Sequence, residues 1–188
     1  MRLQFRRAIE IAFFHKLNGV SVNALTKLAS CFLLPLAAAS FNASAGTSTV
    51  DFVTYVHVQN YGQMTFAPDE MAGTIGQGLR LESLMVAPLY PVIGNWPSCL
   101  VLSYMAHIEG TGDTGWTAAP NKVGTEGQGR RIEGLAFRLS GSCASSYTVE
   151  YSCHLQGIGT VSGSNGQFCG TRGQGRRLEA IQITVRAR

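Results

Sequence analysis

One ten-residue phrase occurs three times in this chain, and it constrains the fold more than any other feature. Gly73-Thr74-Ile75-Gly76-Gln77-Gly78-Leu79-Arg80-Leu81-Glu82 returns at residues 124–133 and again at 170–179. Upstream of each copy sits a second recurring segment: Val56-His57-Val58-Gln59, Ala106-His107-Ile108-Glu109 and Cys153-His154-Leu155-Gln156. The first motif repeats at offsets of 51 and 46 residues, the second at 50 and 47. Two separate motifs that keep nearly one period mark three copies of a single supersecondary unit.

Inside each copy the apolar period is two, which predicts strands rather than helices. The first strand of each unit is expected over residues 52–59, 100–109 and 149–156, the second over 81–86, 132–139 and 178–185. Between them lie a glycine-rich loop and the GTxGQG turn. Gly accepts φ > 0, so Gly-x-x-Gly-x-Gly lets the chain reverse before the second strand. A phosphate-binding loop would need a helix to follow, and the pattern predicts a strand there. Only 14% of the residues are charged and Gly numbers 22, which also argues against a helical bundle. The expected fold is all-β: a closed domain of threefold pseudo-symmetry, β-prism-like, with a β-trefoil as the alternative, because closure protects sheet edges.

The formal charge of +4 is concentrated at the start of the chain. Residues 1–45 hold Arg2, Arg6, Arg7, Lys16 and Lys27 against Glu10, while the remainder has ten basic and ten acidic residues. Nucleic-acid binding needs a basic footprint, and none is left outside that segment. Basic residues, the apolar run from Leu28 to Ala39 and the end Ala43-Ser44-Ala45 read as a signal peptide over 1–45. The apolar run of 12 residues is short for a membrane span. A single β domain is expected over 46–188, with repeats at about 50–94, 95–145 and 146–188. The product is expected to be secreted or at the cell surface, a periplasmic location being the other option, with no membrane span once the leader is removed.

Four cysteines follow the leader: Cys99, Cys143, Cys153 and Cys169. In an exported chain these predict two disulfides, with three possible connectivities. The repeat geometry favours Cys99–Cys143, which bracket the second unit, and Cys153–Cys169. Their spacing lacks the paired clusters of a zinc site.

The pattern Tyr-x-x-His-hydrophobic-Gln/Glu, then Gly-Trp, then Gly-Thr-x-Gly-Gln-Gly-x-Arg-hydrophobic-Glu resembles the Clostridial hydrophobic repeat with conserved Trp. The second unit is closest, at Tyr104, His107, Glu109, Gly115-Trp116, Gly124-Thr125, Gly127-Gln128, Arg130 and Glu133. The third matches at Tyr151, His154, Gln156, Gly170-Thr171, Gly173-Gln174 and Glu179. The first matches at His57, Gln59, Gly73-Thr74, Gly76-Gln77 and Glu82. The resemblance implies a non-catalytic module of an exported protein that binds cell-surface or polysaccharide material, or another protein. The family Trp is kept only as Trp116; nine residues after the His, the other units carry Phe66 and Gly163.

Candidate ligand contacts are the rings of Trp116, Phe66 and Tyr61 and the amides of Gln77, Gln128 and Gln174, which can stack on or read a sugar. His57, His107 and His154 are equivalent residues expected to bond within their own units rather than to meet on a metal. Glu82, Glu133 and Glu179 each follow an Arg by two residues and are expected to be structural ion-pair partners rather than glycosidase carboxylates. No catalytic residue, metal or cofactor is expected. The expected function is glycan or cell-envelope recognition through repeated surface sites. A structural or adhesive protein–protein domain is the alternative, and an exported hydrolase comes last.

Overall fold

The computed structural model describes residues 49–90 and 93–188; the expected signal peptide lies outside the described residues. The first unit contains β1 (Phe52–Val58), β2 (Gly62–Phe66), β3 (Ala72–Gly73) and β4 (Leu81–Pro88). The second contains β5 (Val101–Ile108), β6 (Gly112–Asp113), β7 (Thr117–Ala118), β8 (Val123–Gly124) and β9 (Ile132–Ser140). The third contains β10 (Tyr147–Leu155), β11 (Gly159–Ser164), β12 (Cys169–Gly170) and β13 (Leu178–Ala187). The domain is all-β, as the period-two pattern predicts. Its only helical turn among the described residues is a three-residue 3₁₀ segment, Ala144–Ser146.

In each unit the two long strands pair antiparallel, β1 with β4, β5 with β9 and β10 with β13. The middle of the unit is more regular than its glycines suggest. It forms a hairpin partner for the first strand: β2, β6 with β7, and β11. Phe66 therefore sits on a strand rather than in a loop.

Three separate antiparallel sheets result, with no closed barrel among the described strands, and each takes its last strand from another unit. β8 of the second unit joins β4, β12 of the third joins β9, and β3 of the first joins β13. The donations run in a ring, so each unit completes one neighbour and is completed by the other.

This exchange explains the first glycine of the repeated phrase. Gly73, Gly124 and Gly170 have φ of 127°, 102° and 138°. A Cβ on any of them would lie 2.3–2.4 Å from a backbone atom of the receiving strand. Only glycine lets two backbones approach so closely at that conformation.

Inward-facing side chains from all three units merge into one core. Tyr104, Phe137 and Tyr151 pack across it as tilted pairs, with ring centroids 5.7 and 4.9 Å apart. Burial pushes the Tyr104 phenol up to about 12. Its oxygen accepts from Val86 N–H of the first unit and donates to the Asn121 carbonyl. Trp96, in the connection between the first two units, is fully buried, edge-on to Phe52, and donates to the Leu100 carbonyl at 3.0 Å.

Both expected disulfides form. Cys99–Cys143 closes the ends of β5 and β9. Cys153–Cys169 ties β10 to β12, the strand given to the second unit. The equivalent positions are Val56 and Ala72 in the first unit, and Ala106 and Val123 in the second. All six residues are buried in the core. One large and one small residue fill the place that the disulfide fills in the third unit.

Candidate functional site

The repeated Arg and Glu belong to a clasp between units. In every unit the long-strand register slips by one residue after the His: His57 faces Ser83 but Val58 faces Leu81. The same slip occurs at His107/Ile108 and His154/Leu155. The residue left over in each bulge is Glu82, Glu133 or Glu179, and a bulge re-aims the side chain it carries.

Each Glu is buried, at 3%, 2% and 5% exposure. Arg80 Nε donates to Glu82 at 2.8 Å, Arg131 to Glu133 at 3.1 Å and Arg177 to Glu179 at 2.9 Å. At two of the joints the other carboxylate oxygen reaches into the donated turn. Glu82 accepts from Gly127 N–H at 3.2 Å and Glu133 from Gln174 N–H at 3.1 Å. The Glu main-chain carbonyls accept from Thr125, Thr171 and Thr74 N–H at 2.8–3.0 Å. The phrase thus encodes both halves of one joint: Arg-x-Glu receives, and Gly-Thr-x-Gly-Gln is received.

The variable residue of GTxGQG differs at each joint. Arg172 donates to Asp113, whose carboxylate also meets His107 Nδ1 at 2.6 Å, while His107 Nε2 accepts from Gly173 N–H. Arg172, and to a lesser degree His107, hold the Asp113 carboxyl below its ordinary value. At the joint of the first two units, Glu126 lies against Lys122 and the Ser83 hydroxyl, which lower its carboxyl in that order. His154 Nδ1 bonds Thr160 at 3.0 Å and His57 Nδ1 lies 3.1 Å from Glu82. Each histidine thus lies against a side chain of its own sheet, and His107 also accepts from the third unit.

The candidate ligand residues divide by face. Tyr61 is 58% exposed, and its hydroxyl donates to the Gln77 amide oxygen at 3.1 Å. Gln128 and Gln174 also stand exposed. Phe66 packs against the core. Trp116 is 38% exposed, with the Arg138 guanidinium 4.2 Å from its ring centroid.

A second bulge separates Trp116 from Phe66. Thr54 pairs with Phe66 and Tyr151 with Gly163, but Tyr104 pairs with Thr117. Asp113 still pairs with His107, and Thr114 N–H bonds the Ala106 carbonyl. Gly115 is therefore the extra residue, and Trp116 falls opposite Met105 on the outer face. A one-residue slip turns a side chain to the other side of a sheet. By register, the counterparts of Trp116 are Thr65 and Ser162, not the Phe66 and Gly163 that counting from the His gives. The inner slot holds one ring where it is large: Phe66 opposite Thr54, or Tyr151 opposite Gly163. A Cβ on Gly163 would lie 2.7 Å from the Tyr151 ring.

Two adjoining depressions on the outer face of the third unit carry no signal in the repeated motifs. One, of about 330 Å³, is lined by Asp69, Glu150, Ser152, Gln182, Thr184 and Arg186. The other, of about 370 Å³, shares Glu150 and Ser152 and adds Ser162, Ser164 and Gln167. The alternating polar residues of β10 and β13 were the available sign of them.

No match was found among the curated proteins or the solved structures. The family description Clostridial hydrophobic W matches residues 57–87, 107–141 and 154–186, just over half of the chain. The matched segments run from the His of each unit through the clasp into its second long strand. With all three copies matched, the chain belongs to the Clostridial hydrophobic W family.

Proposed function

We propose that this protein is an exported, non-catalytic binding module for glycan or other cell-envelope material. The observation that carries the reading is Trp116, turned outward by the Gly115 bulge and braced by Arg138. An indole offers a flat apolar face with little conformational freedom to lose, which suits stacking on a sugar ring. The guanidinium against the ring holds its orientation. Val101 and Ala118, exposed on the same sheet, extend the apolar surface around it.

Two further facts support the reading. The repeated carboxylates are occupied by arginines and main-chain N–H groups, leaving them poorly placed for acid–base chemistry. Two disulfides fit an oxidising compartment outside the cytoplasm.

Retention of the purified protein on insoluble chitin, cellulose and peptidoglycan tests the proposal. Trp116→Ala is expected to weaken retention by about tenfold, equivalent to ~1.4 kcal/mol. No retention of the native protein on any of them, with stable capture of one protein partner instead, favours the adhesive alternative.

A further inference from the structure

The geometry points to a second binding site, on the outer face of the third unit, for a neutral hydroxyl-rich oligosaccharide held by hydrogen bonds alone. It shares its ligand class with the function proposed above but none of its residues, so either can fail by itself.

The site is a polar saddle running across β11, β10 and β13. Its two depressions meet at Glu150 and Ser152. Three neighbouring strands span about 10 Å, the reach of two linked sugar rings. Each depression is also within the size range of small-molecule sites, about 300–1,000 Å³.

The lining has unused hydrogen-bonding capacity of both kinds. Ser152 and Ser162 hydroxyls share one bond at 3.2 Å, which leaves one of their two protons to donate. Gln167 accepts through its amide oxygen from Ser164, which leaves its NH₂ group to donate. Arg186 Nη2 lies 3.3 Å from one oxygen of Glu150, so the other oxygen can accept. Arg186 Nε is buried and has no acceptor among the described residues. A buried donor in that state is costly, and a ligand oxygen that draws in the guanidinium would relieve it. Vicinal sugar hydroxyls supply donors and acceptors in the alternation that this lining requires.

The rim is preset. Asp69, at φ 63°, comes from the first unit, and its carbonyl accepts from Gln182 Nε2 at 2.5 Å. Thr184 Oγ1 donates to its carboxylate. Ligand binding therefore need not order this loop. Two carboxylates, Asp69 and Glu150, face one guanidinium in the lining, which disfavours polyanionic ligands.

The test is an amide-resolved NMR titration of the ¹⁵N-labelled protein with chitotetraose, cellotetraose and mannotetraose. With at least one of them, shifts are expected in β10, β11 and β13. They should be weakened at least tenfold in both Glu150→Ala and Gln182→Ala and persist in Trp116→Ala. Absence of shifts with all three sugars, shifts that map only around Trp116, or full binding by Glu150→Ala would each overturn the proposal. Loss of polysaccharide retention in Trp116→Ala with these shifts intact would support both sites as separate.

Discussion

The second and third units share one joint and present opposite outer faces. Equivalent outward positions hold Met105 and Ala136 in the second unit, but Ser152 and Gln182 in the third. One row further along, Ser103 and Arg138 correspond to Glu150 and Thr184. On the second unit the bulge lays Trp116 over this surface. On the third, Ser162 occupies the corresponding place, and the surface is dented and polar. The clasp therefore fixes the scaffold while the outward residues of the long strands vary the outer surface.

The largest effect should come from the part that the units share. Glu133→Ala strands the Gln174 N–H and takes from a half-buried Arg131 one of its two carboxylates, Glu109 being the other, while Glu179→Ala leaves Arg177 without its carboxylate. Each is expected to cost about 3 kcal/mol, the scale for breaking a buried pair. Urea denaturation midpoints measure this. A clear inequality between the two variants would break the claim of a common joint.

A smaller effect concerns the inner slot. Gly163→Phe gives the third unit a second ring where Tyr151 already lies, and overpacking of that kind costs about 2 kcal/mol. Combining it with Tyr151→Thr copies the Thr54 and Phe66 arrangement of the first unit. A double-mutant cycle should show the pair less destabilised than the sum of its members. Strict additivity would mean that the two positions do not compete for one space.

The disulfide of the third unit can be compared with its apolar counterparts. Cys153→Ala/Cys169→Val copies Ala106 and Val123, and it should fold without the cross-link. It should be more stable than Cys153→Ala/Cys169→Ala by about 1.5 kcal/mol, for roughly two methyl groups returned to the core. Thermal melts of the two variants separate the packing contribution from the loss of the covalent bond, which both share. Equal stability would show that the position does not need its volume filled.

Much of this was legible in the sequence, for reasons that particular residues make plain. Alternation located the six long strands, because each has one face in the core. The repeat geometry, in which Cys99 and Cys143 bracket the second unit, also pointed to both disulfides. The Arg-x-Glu pairing was readable as an ion pair, but not as a joint between units, since no local pattern reveals that the GTxGQG turn pairs with a strand more than 30 residues away. The bulge at Gly115 did leave a trace. The His and Gly-Thr motifs are 16 residues apart in the first and third units and 17 in the second. Their different offsets recorded that extra residue, yet only the register shows on which side of Trp116 it falls. The polar saddle depends on Asp69 arriving from another unit, which local sequence does not specify.

The smallest effect tests how the joints differ. Asp113 is held below its ordinary value first by Arg172 and then by His107, across the joint between the second and third units. A depressed carboxyl stabilises the folded protein at pH above its unfolded value. That contribution disappears as pH falls through the lowered folded value. Asp113 is 41% exposed, so solvent screening limits the pair to less than about 1 kcal/mol. Asp113→Asn should therefore trail the native protein slightly in urea midpoint at pH 7, and the gap should close below about pH 4. Added salt should narrow the gap at pH 7, because exposed pairs are screened. Glu126→Gln should behave alike, since Lys122 and Ser83 lower that carboxyl at the neighbouring joint. Ile75 occupies the same motif position at the remaining joint and carries no charge, so Ile75→Ala should give a midpoint difference independent of pH. A gap at Asp113 that is equally independent of pH would mean that the ion pair adds nothing to a joint already closed by Glu133 and the main chain.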